Sequence, residues 1–349
     1  MNMLALRKPK KLNRGDTVAA VSLSWGGAGD LGLLWRYEEG KRRLQEDFGL
    51  KVIEMPHTLK GSDYVYRHPE ERAEDLMAAF NNPEIKGVFS CIGGDDSIRL
   101  LPYLDFERIG RNPKIFLGYS DSTVTHFICM KAGFSSFYGP SVLAEFAENV
   151  KIFDYTSHWI NKVLYDASPI GAVPPADAWT GERLEWTLAN KLIEKQLAPN
   201  RGYEILQGRG RVRGPLIGGC IEVMEMMKGT ALWPSHETFE GALLFLETSE
   251  ETPEPTSLKY WLRNYGAMGV LHAVNGILWA KPYQEKHDEA YKKVLLDVVG
   301  QEFGLKDLPV MCNMSFGHNE PMCCLPYGAA AEMDCDAKTF TITDPGVAE

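Results

Sequence analysis

The sequence predicts an α/β protein of two domains, and three observations support this fold class. The chain has 349 residues, which is enough for two domains of ordinary size. Its hydrophobic share of 44% and charged share of 24% are typical of a globular protein with a sizeable core. Strand-like and helix-like segments alternate along the first half, and the alternation resumes after a segment rich in proline and glycine. Such alternation indicates parallel sheets covered by helices, which bind ligands at the carboxyl ends of their strands.

The first half of the chain has the pattern of a parallel-sheet domain. Its predicted strands are short apolar runs at residues 17–22, 51–55, 87–92 and 115–118. Helices are predicted at 33–48, where Gly49 is the stop signal, from Pro69 onward, and at 122–131. We therefore expect residues 1–165 to form an N-terminal α/β domain with a parallel sheet.

A segment rich in proline and glycine separates the two halves. Residues 166–183 contain three prolines and two glycines, and this composition predicts a linker or substrate loop, which we extend over 166–205. Beyond it, strands are predicted at 214–219, 242–246, 276–280 and 310–313, with helices between them that include 257–265 and 287–303. A closing hairpin is predicted over 331–343. Residues 206–349 are therefore expected to form a C-terminal α/β domain.

Charge and cysteine content narrow the class of function. Acidic residues outnumber basic ones 47 to 37, and no basic run interrupts this balance, so a nucleic-acid polymer or a membrane is not an expected partner. The longest apolar stretches are strand-sized and too short to span a membrane. Seven scattered cysteines without a C-x-x-C motif indicate reduced thiols, and the basic N-terminus lacks the apolar region of a secretory signal. We therefore expect a cytoplasmic protein.

Three residues suited to nucleophilic catalysis each follow a predicted strand. Ser120 lies where an apolar strand turns into a helix, as in a nucleophile elbow, although Ser122 replaces the second glycine of the G-x-S-x-G motif. Glu247 ends another apolar strand, and His318 closely follows a third. A hydroxyl becomes a nucleophile through a neighbouring base, and a carboxylate fixes the tautomer of that base. The three residue types and their order along the chain therefore predict a Ser120–His318–Glu247 triad.

Each of these residues also has a structural interpretation. Ser120 could cap the following helix, Glu247 could pair with an amide or an arginine, and His318 could be an ordinary surface residue. A further alternative is a non-catalytic module that binds a nucleotide or peptide between the domains.

Two other kinds of chemistry have weaker support. The dinucleotide and P-loop fingerprints are absent, which counts against a nicotinamide-dependent oxidoreductase. The spacing of Cys312, His318, Cys323 and Cys324 fits no zinc pattern. We expect neither a metal nor another cofactor.

The glycine pair Gly93-Gly94 directly follows a predicted strand and precedes Asp95. Because glycine lets the backbone approach a ligand closely, amides of this pair are expected to form an oxyanion hole with the amide of Asp121. We expect Gly93 and Asp95 to line the substrate site beside it. A tight turn between strand and helix is the structural alternative, and both can hold at once.

Five short motifs occur in order along nearly the whole chain. They are IGGDDS at 92–97, GYSD at 118–121, LIGG at 216–219, FLETSE at 245–250 and NMSFGH at 313–318. In this combination the sequence resembles the serine peptidase family that includes bacterial LD-carboxypeptidases and the microcin C immunity peptidase.

The resemblance has implications for both the site and the fold. It implies a catalytic triad of Ser120, Glu247 and His318, and an oxyanion hole from the amides of Gly94 and Asp121. It also implies a small barrel-like sheet in the C-terminal domain, an active site between the domains, and a homodimer.

Two features favour the immunity-type branch of this family. LD-carboxypeptidases tend to carry Glu-Asp-Val after the second-domain strand, whereas this chain has ETSEE at 247–251. The linker contains Trp179 and Trp186 and resembles the longer, tryptophan-bearing loop of the immunity-type enzymes. Those enzymes hydrolyse the amide that joins an amino acid or peptide to a modified nucleotide.

The tryptophans suggest how such a substrate is held. A tryptophan can stack on a nucleobase, so Trp186 is the first candidate for substrate binding and Trp179 the second. Anchoring of the linker to a domain surface is an equally weighted alternative. The sequence thus predicts a serine peptidase or amidase that acts near a carboxyl terminus, with a peptidyl- or aminoacyl-nucleotide as substrate. A murein LD-carboxypeptidase that cleaves the L,D bond of muropeptide tetrapeptides is the alternative.

Overall fold

The computed structural model describes residues 4–349, so the first three residues of the predicted N-terminal domain lie outside the described residues. The first sheet has six strands. Their spatial order is Leu325–Pro326, Phe137–Tyr138, Ile115–Gly118, Ile85–Ser90, Thr17–Val21 and Lys51–Glu54. All neighbouring strands are parallel except the first pair, in which Leu325 lies opposite Tyr138. One edge of the N-terminal sheet is therefore supplied by the C-terminal half of the chain.

The central strands of this sheet are buried at nearly every residue, so both faces of the sheet are covered, as expected for a parallel sheet packed between helices. The bounds of these helices are Leu34–Glu46, Ser62–Arg67, Pro69–Asn81, Phe106–Gly110, Thr123–Lys131 and Asp154–Leu164. Pro69 occupies the first turn of its helix, where its missing amide hydrogen costs no hydrogen bond, and two acidic residues follow it there.

The second sheet has eight strands. Their order is Gly171–Ala172, Thr339–Ile342, Ala330–Asp334, Arg211–Cys220, Leu243–Glu247, Gly276–Ala280, Val310–Met314 and Glu204–Gln207. The central four strands are parallel, and the flanking pairs are antiparallel. The helices of this half are Ile221–Met227, Pro255–Ala267, Val270–Ala273 and Asp288–Leu295, the last continuing as the π-helical segment Leu296–Glu302.

The predicted fold class is confirmed, with a parallel sheet in the N-terminal region and a second sheet in the C-terminal region. The boundaries proposed after residues 165 and 205 stay predictions. All seven cysteines are buried free thiols. Among residues 4–349 there is no helix with both the length and the apolar character needed to cross a membrane.

Candidate active site

Ser120 lies on a strained turn at the carboxyl end of strand Ile115–Gly118. Its φ is 61°, a left-handed conformation that costs a non-glycine residue about 1–3 kcal/mol. A single 3-10 turn, Ser120–Ser122, leads from this residue into the helix Thr123–Lys131. The turn lifts the hydroxyl away from the sheet, as a nucleophile elbow requires.

The predicted glycine pair makes close packing at this turn possible. A Cβ atom on Gly93 would lie 2.8 Å from Ser120 Cβ, so a side chain at this position would displace the serine. The Asp121 carboxylate accepts hydrogen bonds from the amides of Asp96 and Ser97, at 3.0 and 2.8 Å. The serine turn and the loop after strand Ile85–Ser90 are thereby fixed to each other.

His318 joins Ser120 to Glu247. Its Nε2 atom lies 3.0 Å from Ser120 Oγ, and its Nδ1 atom lies 2.7 Å from Glu247 Oε2. The backbone amide of His318 also donates to Glu247 Oε2, at 3.0 Å. Gly317 has a φ of 88°, and a Cβ atom there would overlap the same carboxylate. The structure therefore brings the three predicted side chains into one hydrogen-bonded chain, although Ser120 and His318 are 198 positions apart in sequence.

Tyr138, which the motifs do not identify, connects the two ends of this chain. Its hydroxyl donates a short hydrogen bond to Glu247 Oε1 and accepts one from the Ser120 amide at 3.2 Å. Burial, followed by the nearby Glu247 charge, raises the pKa of Tyr138 well above its ordinary value, so the phenol stays a donor. No local sequence signal marks this residue, because strand Phe137–Tyr138 is too short to show a periodic pattern.

Glu250 is the second group that the sequence did not single out. Its Oε2 atom lies 3.0 Å from His318 Nε2, the nitrogen that also faces Ser120. Burial alone lowers the pKa of His318, but Glu247 and then Glu250 outweigh it and raise that pKa well above its ordinary value. The hydrogen bond from His318 in turn lowers the pKa of Glu250 to about 2. The side chains of His318 and Glu247 are only 6% and 1% exposed, so solvent screens this pair weakly, whereas Glu250 is 36% exposed.

A cavity of about 570 Å³ opens over Ser120 and His318. Of the predicted substrate-binding residues, Gly93, Asp95 and Trp186 border it, as does Gly94. Trp179 lies outside this wall, with its ring 4.2 Å from Lys281 Nζ, and this contact favours the anchoring interpretation for that residue.

Trp186 belongs to an aromatic and cationic cluster on one side of the cavity. Its ring lies nearly parallel to that of Trp25, with centroids 6.4 Å apart and planes 22° apart. The Arg36 guanidinium lies 4.5 Å from the Trp186 ring centroid. The sequence analysis does not identify Trp25 as a site residue, because it lies in an irregular segment without a recognisable motif. The cluster offers a flat, weakly hydrated surface for a planar ligand group.

The linker is fastened to both halves of the chain by a buried cation. Lys195 Nζ lies 2.6 Å from Glu148 and makes a shorter contact with Glu320. The two carboxylates raise the pKa of Lys195 although burial opposes this, so the ammonium stays charged. This ion cluster holds the Trp186 segment over the cavity.

Comparisons with known proteins give the family and the fold neighbours. The LD-carboxypeptidase N-terminal domain matches residues 18–139, and the LD-carboxypeptidase C-terminal domain matches residues 213–333. The microcin C7 self-immunity protein MccF of Escherichia coli is 31% identical over 312 residues, which are 88% of each chain. The murein tetrapeptide carboxypeptidase of Pseudomonas aeruginosa is 24% identical over 272 residues, 76% of this chain and 78% of that one.

Solved structures of similar proteins cover almost the whole chain. An MccF-like protein from Streptococcus pneumoniae in complex with AMP has a TM-score of 0.87 and 33% identity, over 94% of this chain and 98% of that one. MccF in complex with aspartyl sulfamoyl adenosine has a TM-score of 0.84 and 27% identity, over 98% and 99% of the two chains. As the motifs predicted, the chain belongs to the LD-carboxypeptidase family of serine peptidases, peptidase S66.

Proposed function

We propose that Ser120, His318 and Glu247 are the catalytic triad of this serine peptidase. The observation that carries the proposal is the continuous hydrogen-bonded chain from Ser120 Oγ through both imidazole nitrogens to Glu247, at the floor of an open cavity. Each member has an environment suited to its role: a strained, presented hydroxyl, an imidazole oriented by a carboxylate at Nδ1, and a buried carboxylate with a second donor.

The mechanism follows from this geometry. His318 Nε2 accepts the Ser120 proton as Oγ attacks the substrate carbonyl, and Glu247 stabilises the imidazolium that forms. The carbon–nitrogen bond of the tetrahedral intermediate then breaks, and His318 gives its proton to the leaving amine. Water enters, loses a proton to His318 and hydrolyses the acyl-enzyme, which restores the Ser120 hydroxyl.

The amides of Gly94 and Asp121 are proposed as the oxyanion hole. Gly94 is exposed at the edge of the cavity, and Asp121 directly follows the nucleophile. In residues 4–349 neither amide donates a hydrogen bond to another group of the chain. Each such donor is typically worth about 3 kcal/mol of transition-state stabilisation.

The substrate that we propose is a small aminoacyl- or peptidyl-nucleotide conjugate. Trp186 and Trp25 border the cavity and supply aromatic rings on which a nucleobase can stack, and Arg36 supports the Trp186 ring. Two structural neighbours were solved with AMP and with an aminoacyl sulfamoyl nucleotide. The alternative is cleavage of the L,D bond of a muropeptide, which the similarity to the murein tetrapeptide carboxypeptidase supports.

One comparison of substrates tests the proposal. Purified protein and its Ser120→Ala variant are incubated with aspartyl sulfamoyl adenosine and with an L,D-linked tetrapeptide. We expect cleavage of the nucleotide conjugate by the wild type and a loss of at least about 10³-fold in the variant, with unchanged thermal unfolding.

The possible results separate the alternatives. Exclusive cleavage of the tetrapeptide would reverse the choice of substrate. Comparable turnover in Ser120→Ala would refute the triad. Tight ligand binding, with neither turnover nor fluorophosphonate labelling of Ser120, would identify a binding module instead.

A further inference from the structure

The reacting nitrogen of His318 has two partners in the free protein. Nε2 lies 3.0 Å from Ser120 Oγ and 3.0 Å from Glu250 Oε2, while Nδ1 is held by Glu247. A ring with a carboxylate at each nitrogen is most stable as the imidazolium, in which both nitrogens donate. An imidazolium cannot accept the Ser120 proton. While the ring keeps its Nε2 proton, the base becomes available only when Glu250 is paired elsewhere or neutralised.

Glu250 is held at this position by its own loop. The amide and the hydroxyl of the preceding Ser249 both donate to Glu222 Oε1, each at 2.8 Å. Glu222 belongs to the helix Ile221–Met227, so the loop that follows strand Leu243–Glu247 is fixed to a regular element. The placement of a carboxylate beside Nε2 is consequently built into the fold of this segment.

The Glu250 carboxylate is nevertheless open to a ligand. Its side chain is 36% exposed and borders the cavity. Apart from His318, its ion-pair partner among residues 4–349 is Arg183, whose guanidinium lies 3.6 Å away and whose side chain is 60% exposed. Such a loose surface pair contributes about 0–1 kcal/mol, so a better-placed cation can replace it.

The cavity around Glu250 has a charge that favours a cationic ligand group. Asp95 and Glu251 are exposed and also border it. Of its buried cations, Arg36 donates to two backbone carbonyls and an asparagine, and Lys195 is held by two carboxylates. Neither cation is directed at Glu250, which leaves negative charge next to the reacting atoms.

We propose that Glu250 binds a cationic group on the acyl side of the substrate and that this contact frees His318 to act as the base. The group is the α-ammonium beside the scissile carbonyl or a cationic side chain on the same carbon. Once Glu250 pairs with it, the imidazolium loses its Nε2 proton to solvent and can accept the proton of Ser120. This inference rests on the proposed triad and specifies the acyl group that the enzyme selects.

A matched substrate series tests this selection. Lysyl, norleucyl and Nα-acetyl-norleucyl sulfamoyl adenosine differ in side-chain charge and in the α-ammonium. For the wild type we expect kcat/KM to fall about tenfold when the cationic group that binds Glu250 is removed. This fall corresponds to about 1.4 kcal/mol of transition-state stabilisation. A fall from lysyl to norleucyl identifies the side chain, and a fall on acetylation identifies the α-ammonium.

Two variants of the same loop distinguish the effect of the Glu250 charge from the effect of other charges nearby. In Glu250→Gln we expect the substrates to differ by no more than about twofold. Glu254→Gln is the matched control, because Glu254 is exposed on the same segment but lies outside the cavity wall, and it should keep the wild-type preference. A wild type that ignores charge, or a Glu250→Gln variant that keeps the preference, would overturn the proposal.

Fluorophosphonate labelling of Ser120 provides a readout that does not depend on the substrate. The titratable groups that face His318 within residues 4–349 are Glu247, Glu250 and the Tyr119 ring, 5.0 Å away. Removal of the Glu250 charge lowers the pKa of His318, so Glu250→Gln should be labelled severalfold faster than the wild type near pH 6. The difference between the two rates should shrink as the pH rises and the wild-type imidazolium loses its proton. Equal rates near pH 6 would refute the role of Glu250.

The two proposals fail in distinguishable ways. If Ser120 is not labelled in the wild type at any pH, the triad itself is wrong. If Ser120 is labelled but neither labelling nor turnover depends on residue 250, the triad stands and only the inference about Glu250 is lost.

Discussion

Tyr138 shows how much of this site depends on a single hydroxyl. One buried phenol donates to the outer oxygen of Glu247 and accepts from the amide of Ser120, so it fixes the carboxylate and the elbow relative to each other. Tyr138 is buried and does not border the cavity, so it is a positioning residue. Its removal would leave a buried carboxylate one donor short, which is costly because the group is charged.

For Tyr138→Phe we therefore expect kcat/KM to fall about 10- to 100-fold, from the loss of about 1.5–3 kcal/mol of a charge-assisted hydrogen bond. With fewer donors, Glu247 holds the His318 proton more tightly, so the acidic limb of the pH–rate profile should move to higher pH. A purely structural role would not move that limb.

The matched control for this substitution is Tyr265→Phe. Tyr265 is also fully buried, but its hydroxyl has no hydrogen-bond partner among residues 4–349. Removal of that hydroxyl should leave both the rate and the limb unchanged. If Tyr138→Phe behaved like this control, the Tyr138 hydroxyl would have no role in positioning Glu247.

At the level of elements, the linker works as a strap over the cavity. The short ribbon of Ala178–Trp179 with Ala198–Pro199 closes it at one end, and the bridge between Thr180 and Glu320 ties it to the C-terminal half. Lys195 adds a buried ion cluster with side chains that are 11% exposed or less. The cluster, rather than apolar packing, fixes the strap, since several apolar linker residues, such as Leu188 and Leu192, are exposed.

Substitution of Lys195 by methionine should release this strap. Loss of the ammonium leaves the buried acidic side chains of Glu148 and Glu320 without their cation. Breaking a buried ion pair in this way costs up to about 3–5 kcal/mol, which local opening can relieve. We expect a higher KM for the nucleotide conjugate, a smaller change in kcat, and faster proteolysis between residues 180 and 197.

Lys191→Met provides the control within the same linker. Its side chain is 38% exposed and lies 2.9 Å from Glu39, a carboxylate that also pairs with Arg42 and Arg43. Because Glu39 keeps those two cations, loss of the Lys191 contact should cost only about 0–1 kcal/mol. This variant should behave like the wild type. Equal proteolysis of the two variants would show that the buried cluster does not hold the strap.

Some helices and strands could be predicted from the sequence, and others could not. The helix predicted from Pro69 and the strands at 276–280 and 115–118 were recovered closely, because periodicity, turn residues and apolar runs are local signals. The two-residue strands Phe137–Tyr138 and Leu325–Pro326 were not predicted, since a pair of residues carries no period. The helix predicted over 287–303 becomes π-helical from Leu296, a change of winding that the apolar spacing does not reveal.

The need for a local sequence signal also decides which site residues could be predicted. Ser120, Glu247 and His318 could be chosen because each follows a strand and has the right chemistry. Tyr138 acts through Ser120 and Glu247, which are 18 and 109 positions away, and Glu250 acts through His318 in a distant part of the sequence. Nothing in the sequence next to Tyr138 or Glu250 points to those contacts.

At the level of the whole molecule, the two halves of the chain complete each other. Leu325–Pro326 supplies the edge strand of the N-terminal sheet, next to Phe137–Tyr138. The Tyr327 amide donates to the Ser136 carbonyl, and its hydroxyl donates to the Gly218 carbonyl. The catalytic groups are divided in the same way, because the serine comes from one half and the histidine and glutamate from the other. A site that must keep 3 Å contacts across two halves benefits from an interface that does not open independently.

This interlocking predicts one cooperative unfolding transition in spite of the two predicted domains. If residues 206–349 are removed, the strand Phe137–Tyr138, which is buried, loses its partner and becomes an exposed sheet edge. We therefore expect far-UV circular dichroism and tryptophan fluorescence to report the same urea midpoint for the full chain, and a fragment of residues 1–205 to be insoluble or unfolded. Two separate midpoints, or a fragment with a native-like spectrum and its own cooperative transition, would show instead that the halves fold independently and that the site is assembled by docking of two finished domains.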